Sequence, residues 1–238
     1  MSLPRFISVI TVKVDRHRII VTADGSHTLQ SLQFSETYHS TFGAINESMH
    51  VFVRAGLHMA LERFPGGMNI LEVGFGTGLN ALLTLLDPEI RGCRISYTAV
   101  EAFPLDEALW QGLNYPGLLK DENAAKYYES LHRCGWDEDH EAAPGFLIRK
   151  VKLRVQDFHA AENHFNLVYH DAFSPAVQPE MWTAELFTHL SAMICPGGIL
   201  VSYSSKGAVR RAMQEAGFRM EKIPGPTGKR EMLRGIKC

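Results

Sequence analysis

An α/β fold is predicted: a mostly parallel, doubly covered sheet with one antiparallel edge strand, plus an N-terminal β-hairpin and helix. Three observations predict it. From residue 67 onward, short apolar runs alternate with helix-period stretches, the pattern of a parallel sheet covered on both faces. The run Asn69-Ile70-Leu71-Glu72-Val73 breaks into Gly74-Phe75-Gly76-Thr77-Gly78 and then a helical stretch, a strand–turn–helix signature. Two adjacent alternating runs close the chain, and neighbours so near in sequence pair antiparallel. The chain divides into residues 1–66, a hairpin and helix packed on the core, and residues 67–238, the core itself.

In order, Ile7 to Val14 and Arg18 to Thr22 alternate as a hairpin around Asp15-Arg16-His17. A polar segment with aromatic residues, Leu32 to Phe42, follows. Ala44 to Phe64 has the period of an amphipathic helix, closed by Pro65-Gly66-Gly67. After the first core strand, Leu79 to Leu86 is a helix and Arg94 to Glu101 a second strand. Weaker helical periodicity spans Pro104 to Cys134, and Asp137 to Pro144 reads as an acidic loop. Phe146 to Val155 is extended, and Asn166 to His170 is a strand ending at Asp171. Then come a helix (Pro179 to Ile194), a turn (Pro196-Gly197-Gly198), a strand (Ile199 to Ser204) and a helix (Lys206 to Ala216). Strands Phe218 to Ile223 and Glu231 to Ile236 finish the chain.

Composition excludes several classes. Hydrophobic residues make up 45% of 238 residues, ample for a core, yet no run approaches the roughly 20 apolar residues of a membrane span. The first residues lack the apolar block of a signal peptide. Cys93, Cys134, Cys195 and Cys238 are scattered without a C-x-x-C, which suits a reducing cytoplasm and predicts neither a disulfide framework nor a zinc site. Eleven histidines show no metal-ligand spacing, so no metal is expected. Net charge is −2, but Lys206 to Cys238 holds nine basic residues against three acids. That tail could meet phosphates or simply form a solvated face.

The glycine turn carries the chemistry. Alternate glycines let the backbone turn tightly and approach a ligand, and the following helix aims free N–H groups at it. Gly76 to Ala81 also satisfies the degenerate dinucleotide pattern, so a nicotinamide or flavin cofactor competes with S-adenosylmethionine (SAM). Glu72 ahead of the turn would repel a diphosphate but not a cationic methionine moiety. The Glu-x-Gly-x-Gly-x-Gly run resembles that of class I, Rossmann-like SAM-dependent methyltransferases. A tight turn with no ligand is the bland alternative. Further acidic strand ends support an adenosine site: Glu101 for ribose hydroxyls, Asp157 with Phe158 for adenine, and Asp171. Asp171 follows the fourth strand, where it could take a proton from an acceptor amine or only hold the cofactor's amino group. Phe173 and Pro175 could wall a flat acceptor.

Asp171-Ala-Phe-Ser-Pro-Ala-Val-Gln-Pro-Glu-Met-Trp182 resembles a signature of the methyltransferase part of MnmC, the tRNA wobble-uridine modifying family. Gly74-Phe-Gly-Thr-Gly-Leu-Asn80, Glu101-x-Phe-Pro104, Val209 to Phe218 and Gly228-Lys-Arg-Glu-Met-Leu-Arg-Gly235 agree, so the likeness runs from about Phe34 onward. The resemblance implies a SAM-dependent methyltransferase acting on the exocyclic amine of 5-aminomethyluridine, often 2-thiolated, in cytoplasmic tRNA. By position it implies that Gly74, Phe75, Gly76, Thr77, Gly78 and Asn80 line SAM, with Glu101 on ribose, Asp157 on adenine and Asp171 at the reacting amine. Lys229 and Arg230 would contact RNA phosphate or order the pocket. Glu47, Tyr38 and Phe42 would lie near the cofactor mouth. Trp182 fits the core better than a base-stacking platform. Bifunctional members continue into a flavin-dependent oxidase domain. This sequence ends at Cys238, so a separate oxidase, or a substrate already in the aminomethyl form, is expected. Two alternatives stand beside this: a polyamine aminopropyltransferase, or another small-amine methyltransferase, and a binding module without chemistry.

Overall fold

A computed structural model describes residues 9–14 and 16–238; Ile7, Ser8 and Asp15 of the expected hairpin lie outside the described residues. Strands β1 (Val9–Val14), β2 (His17–Val21), β3 (His27–Ser31) and β4 (Glu36–Thr37) form an antiparallel sheet in that order. The hairpin is thus half of a four-stranded unit. Strand β3 is short and polar on one side, which leaves too few alternations to show in sequence.

Helix α1 spans Ala44–Ser48, Met49–His58 and Met59–Arg63, its middle ten residues wound as a π-helix. It lies flat on the main sheet at Gly56, where a Cβ would stand 2.9 Å from Val201 and 3.2 Å from Tyr169. Val51, Phe52, Val53 and Leu57 are all buried, because the helix is covered on more than one side.

The main sheet contains β5 (Met68–Val73), β6 (Ile95–Val100), β7 (Asp139–Ala143), β8 (Phe146–Val151), β9 (Phe165–His170), β10 (Ile194–Ser202), β11 (Phe218–Pro224) and β12 (Glu231–Lys237). Their order is β11-β12-β10-β9-β5-β6-β8-β7. The five central strands are parallel. Antiparallel pairing occurs at both edges rather than one: β10 with β12 and β12 with β11 on one side, β8 with β7 on the other. Strand β7 is the segment expected to be an acidic loop. Its acids face solvent, and only Ala142 is buried, so the apolar alternation that marks a strand is missing. Pro196-Gly197-Gly198 is absorbed into β10, whose register shifts between Ile194 and Ile199.

Helices α2 (Leu79–Leu86), α3 (Glu107–Gln111), α4 (Tyr115–Leu118), α5 (Ala124–Arg133), α6 (Ala184–Met193) and α7 (Gly207–Glu215) complete the fold. The single helical region expected from Pro104 to Cys134 is three short helices, interrupted around Gly112 and Leu119. Side chains alternate between two cores: Ile70, Leu167 and Tyr169 face the layer containing α1 and α2, while Leu71, Val168 and Leu200 face α6 and α7.

The chain runs from β5 outward to β6 and β8, then returns to β9 and β10 on the other side. The direction of winding therefore reverses between β5 and β9, and the crevice at their carboxyl ends is where such sheets bind ligands. The N-terminal sheet roofs that crevice. His27 N donates to Asn114 Oδ1 (2.7 Å), Asn114 Nδ2 to the Gly25 carbonyl (3.0 Å), and Ser174 N to Glu36 Oε2 (3.0 Å).

Candidate active site

A cleft of about 900 Å³ opens at this reversal point, a size suited to a small-molecule ligand. Its floor is the joint between the glycine turn and the end of β9. Asp171 N donates to the Val73 carbonyl at 3.0 Å, and Gly74 N to the Val100 carbonyl at 2.9 Å. At Gly74, φ is +92° and a Cβ would sit 2.7 Å from the Asp171 carbonyl oxygen, so the close approach requires glycine. Gly76, at φ +46°, leaves its N–H to donate to Glu101 Oε2 at 3.0 Å, while Glu101 Oε1 accepts from Phe103 N at 2.8 Å. Each Glu101 oxygen keeps acceptor capacity for a hydroxyl.

The turn is clamped from behind. Tyr128 Oη donates to the Thr77 carbonyl at 3.0 Å, and His132 Nε2 to the same oxygen at 3.1 Å. His132 stacks on Trp110 at 4.5 Å, and burial lowers its pKa to about 3, which keeps it neutral. Lys150, buried, donates to the His132 carbonyl at 2.6 Å and stands 4.8 Å from the Trp136 ring centre. Sequence reading missed this clamp, because a lone histidine on α5 carries no motif.

Asp171 accepts from Asn80 Nδ2 at 2.8 Å. Burial raises its pKa to about 7; the Asn80 bond and the Lys229 charge oppose the rise and the Glu47 charge adds to it. Glu47 holds Lys229 at 2.8 Å and accepts from Ser40 N at 2.7 Å. Lys229 Nζ lies 4.3 Å from the centre of the Tyr203 ring. Aromatic rings wall the space above: Tyr38 packs edge-on against Phe173 at 4.9 Å, and Phe34 meets Phe173 at 5.3 Å.

Of the expected residues, Gly74, Phe75, Gly76, Thr77, Asn80, Glu101 and Asp171 line the cleft, as do Glu47, Phe173 and Lys229. Six do not. Glu72 is fully buried beneath the floor, since its side chain points into the α1–α2 layer. Gly78 starts α2 with its Cα turned toward His132. Asp157 is exposed in a single 3-10 turn, which brings its neighbour Gln156 to the cleft instead. Phe158 packs in the α6–α7 core. Pro175 lies outside the lining and Arg230 is exposed. Trp182 is core, its Nε1 donating to the Phe173 carbonyl at 2.8 Å. Phe103, 76% exposed at the rim, and Tyr203 were not expected as lining residues.

The acidic cleft, glycine-shaped floor and unpartnered acceptor Asn80 Oδ1 fit a cationic adenosyl ligand. Comparisons with known proteins agree. The profile of a family described as S-adenosyl-L-methionine-dependent methyltransferase matches residues 142–238. The bifunctional protein MnmC of tRNA 5-methylaminomethyl-2-thiouridine biosynthesis from Pseudomonas savastanoi pv. phaseolicola is 33% identical over 220 residues, covering 87% of this chain and 33% of that protein. Its counterpart from Nitrosospira multiformis is 35% identical, with 87% and 35% covered. The crystal structure of MnmC2 from Aquifex aeolicus superposes with a TM-score of 0.76 at 27% identity, covering 94% of this chain and 71% of that one. The chain resembles MnmC and MnmC2 over most of its own length. Its fold is that of class I SAM-dependent methyltransferases, and SAM is its cofactor. A spermidine synthase from Thermotoga maritima shares the fold alone, with a TM-score of 0.52 at 13% identity. This MnmC-like chain spans about a third of the length of the curated relatives it matches. Among its described residues, no helix is long and apolar enough to cross a membrane.

Proposed function

We propose that the chain methylates the aminomethyl nitrogen of 5-aminomethyluridine, with or without 2-thiolation, at the wobble position of tRNA. The observation that carries this reading is Asp171, held by Asn80 at the junction of the glycine turn and the aromatic wall. SAM supplies an electrophilic methyl group on a sulfonium centre. The glycine turn, Asn80 and Glu101 hold that donor. An alkylammonium has no lone pair to attack with, so the acceptor must lose a proton. Asp171, with its pKa raised to about 7, is matched to accept it near neutral pH. Phe34, Tyr38 and Phe173 receive the uracil ring and exclude water. In this reading the segment 1–66 serves as the roof of the core 67–238. The carboxymethyl group is removed beforehand by a separate flavin-dependent oxidase, and the work is done in the cytoplasm, where tRNA is.

One observation favours a small-amine acceptor instead. The cleft is lined by Glu36, Glu47, Glu101, Asp106, Asp171 and Glu180, against Arg16, Arg154 and Lys229 as permanent cations. Four of the nine cations of the basic tail are held in ion pairs: Lys222 with Glu231, Arg219 and Arg234 with Glu221, Lys229 with Glu47. Methyl-labelled SAM offered with tRNA bearing 5-aminomethyluridine, and separately with putrescine, tests both. A decarboxylated-SAM mixture with putrescine tests aminopropyl transfer. Label in tRNA alone is expected; transfer to the diamine alone overturns the reading.

A further inference from the structure

The strand order of the main sheet sets the order of groups along the cleft. Arg154 and Gln156 follow β8, Glu101 follows β6, the glycine turn follows β5, Asp171 follows β9 and Tyr203 follows β10. Strand β12 runs antiparallel to β10 with Ser202 opposite Leu233, so the turn between β11 and β12 lies at this same end of the sheet. That turn delivers Lys229. Its backbone is tight: Lys229 N donates to the Pro226 carbonyl at 2.9 Å, and Gly225 N to the Arg230 carbonyl at 3.2 Å. At Gly228, φ is +89° and a Cβ would stand 2.5 Å from the Phe42 ring, so the turn is pressed against the rim.

The Lys229 side chain is held as firmly. Its ammonium donates to Glu47 Oε1 at 2.8 Å, and Glu47 Oε2 is fixed in turn by Ser40 N. The ammonium rests over the Tyr203 ring, whose hydroxyl donates at 2.9 Å to the carbonyl of Ala172, the residue after Asp171. With one of its three donors committed to Glu47, it can hold a second anion. Arg16 and Arg154, the other permanent cations of the lining, are exposed, and Arg154 stands at the far end, beyond β8.

SAM differs from its decarboxylated relative by one group, the carboxylate of its methionine moiety. Six acidic side chains line the cleft, so an incoming carboxylate is repelled unless a cation meets it. The glycine turn has few donors to offer. Gly74 N, Gly76 N and Gly78 N already donate to Val100, Glu101 and Phe75, and Asn80 Nδ2 donates to Asp171. With ribose at Glu101, the methionine end of the donor belongs on the β9 and β10 side, where the Lys229 ammonium stands.

We propose that Lys229 binds the methionine carboxylate of SAM and thereby selects SAM over decarboxylated SAM. Glu47 and Tyr203 position the ammonium for that contact. The choice of donor favours methyl over aminopropyl transfer. The inference rests on the placement of SAM given above and is independent of which amine accepts the methyl group.

Calorimetry of the whole chain tests this without turnover, using S-adenosylhomocysteine and decarboxylated S-adenosylhomocysteine. The parent is expected to prefer the first by roughly 10- to 100-fold, the range for a hydrogen bond between charged groups. In Lys229→Met that preference is expected to vanish through weaker binding of S-adenosylhomocysteine alone, and in Lys229→Arg to be largely kept. Removing the lysine also bares Glu47, whose charge by itself repels a carboxylate. The double variant Lys229→Met/Glu47→Gln removes the pair as a unit, and the preference is expected to stay absent. Its return there would show that Lys229 only offsets Glu47, and overturns the proposal. Equal affinity of the parent for both ligands overturns it too, as does a Lys229→Met that weakens both by the same factor or neither. A parent that binds neither ligand overturns the placement of SAM itself, and the proposal with it.

Discussion

Asp171 sits between opposite influences: Glu47 raises its proton affinity and Lys229 lowers it. Only the ionised form can accept a proton, so kcat/KM is expected to rise with pH through about 7. Replacing Asp171 by Asn should abolish that limb and lower kcat/KM by roughly 10²–10⁴-fold. An unchanged rate and profile would remove Asp171 from the chemistry. The neighbours give a sharper check, since their signs differ. In Lys229→Met the midpoint moves up, and in Glu47→Gln it moves down. Movement of both in one direction would show that the Glu47–Lys229 pair acts through structure rather than charge.

At the scale of elements, the glycine turn owes its shape to what lies behind it. Gly74 and Gly76 permit the close approach, but the Thr77 carbonyl is held by Tyr128 and His132 from α5. Losing one buried hydrogen bond typically costs about 1–3 kcal/mol. His132→Ala is therefore expected to weaken binding of S-adenosylhomocysteine by roughly 5- to 100-fold in calorimetry. The fold should persist, because Tyr128 still packs edge-on against Trp110 and Tyr115 and retains the helix. Equal affinity in parent and variant would make the clamp irrelevant to the turn. Helix α1 shows a different dependence: Gly56 lets it lie on Val201 and Tyr169, and this contact is what brings Glu47 to the rim.

For the whole molecule, buried ionisable groups set the pH range of stability. His39 and His170 are lowered to about 4 and His132 to about 3, each mainly by burial. Their folded pKa values lie below the unfolded value, so they cost stability as pH falls below about 6.5. Burial raises Asp171 and Glu72 instead. A raised acid loses stability as pH climbs from the usual carboxylate range toward its folded pKa. The two sets oppose one another between roughly pH 4.5 and 6.5. Above that only the acids remain, each worth up to about 1.4 kcal/mol per pH unit until it ionises. Urea midpoints of the ligand-free protein are expected to fall from pH 6.5 to 8. A midpoint that rises across this interval would contradict the buried-acid arrangement.

Local chemistry was written in the chain. The glycine turn, the strand ends at Glu101 and Asp171, and the helices with strong periodicity are short-range features, fixed by backbone freedom and apolar spacing. Strands β3 and β7 were hidden, because an edge or half-polar strand lacks the alternation that burial imposes. The direction in which a strand-end side chain points is likewise set by pairing on both sides. Glu72 and Asp171 both read as acidic strand ends, yet one went under the floor and the other into the cleft. Sequence determined which residues could do the chemistry. Only the packed sheet, with its winding reversal between β5 and β9, decided which of them face the ligand and which hold the others in place.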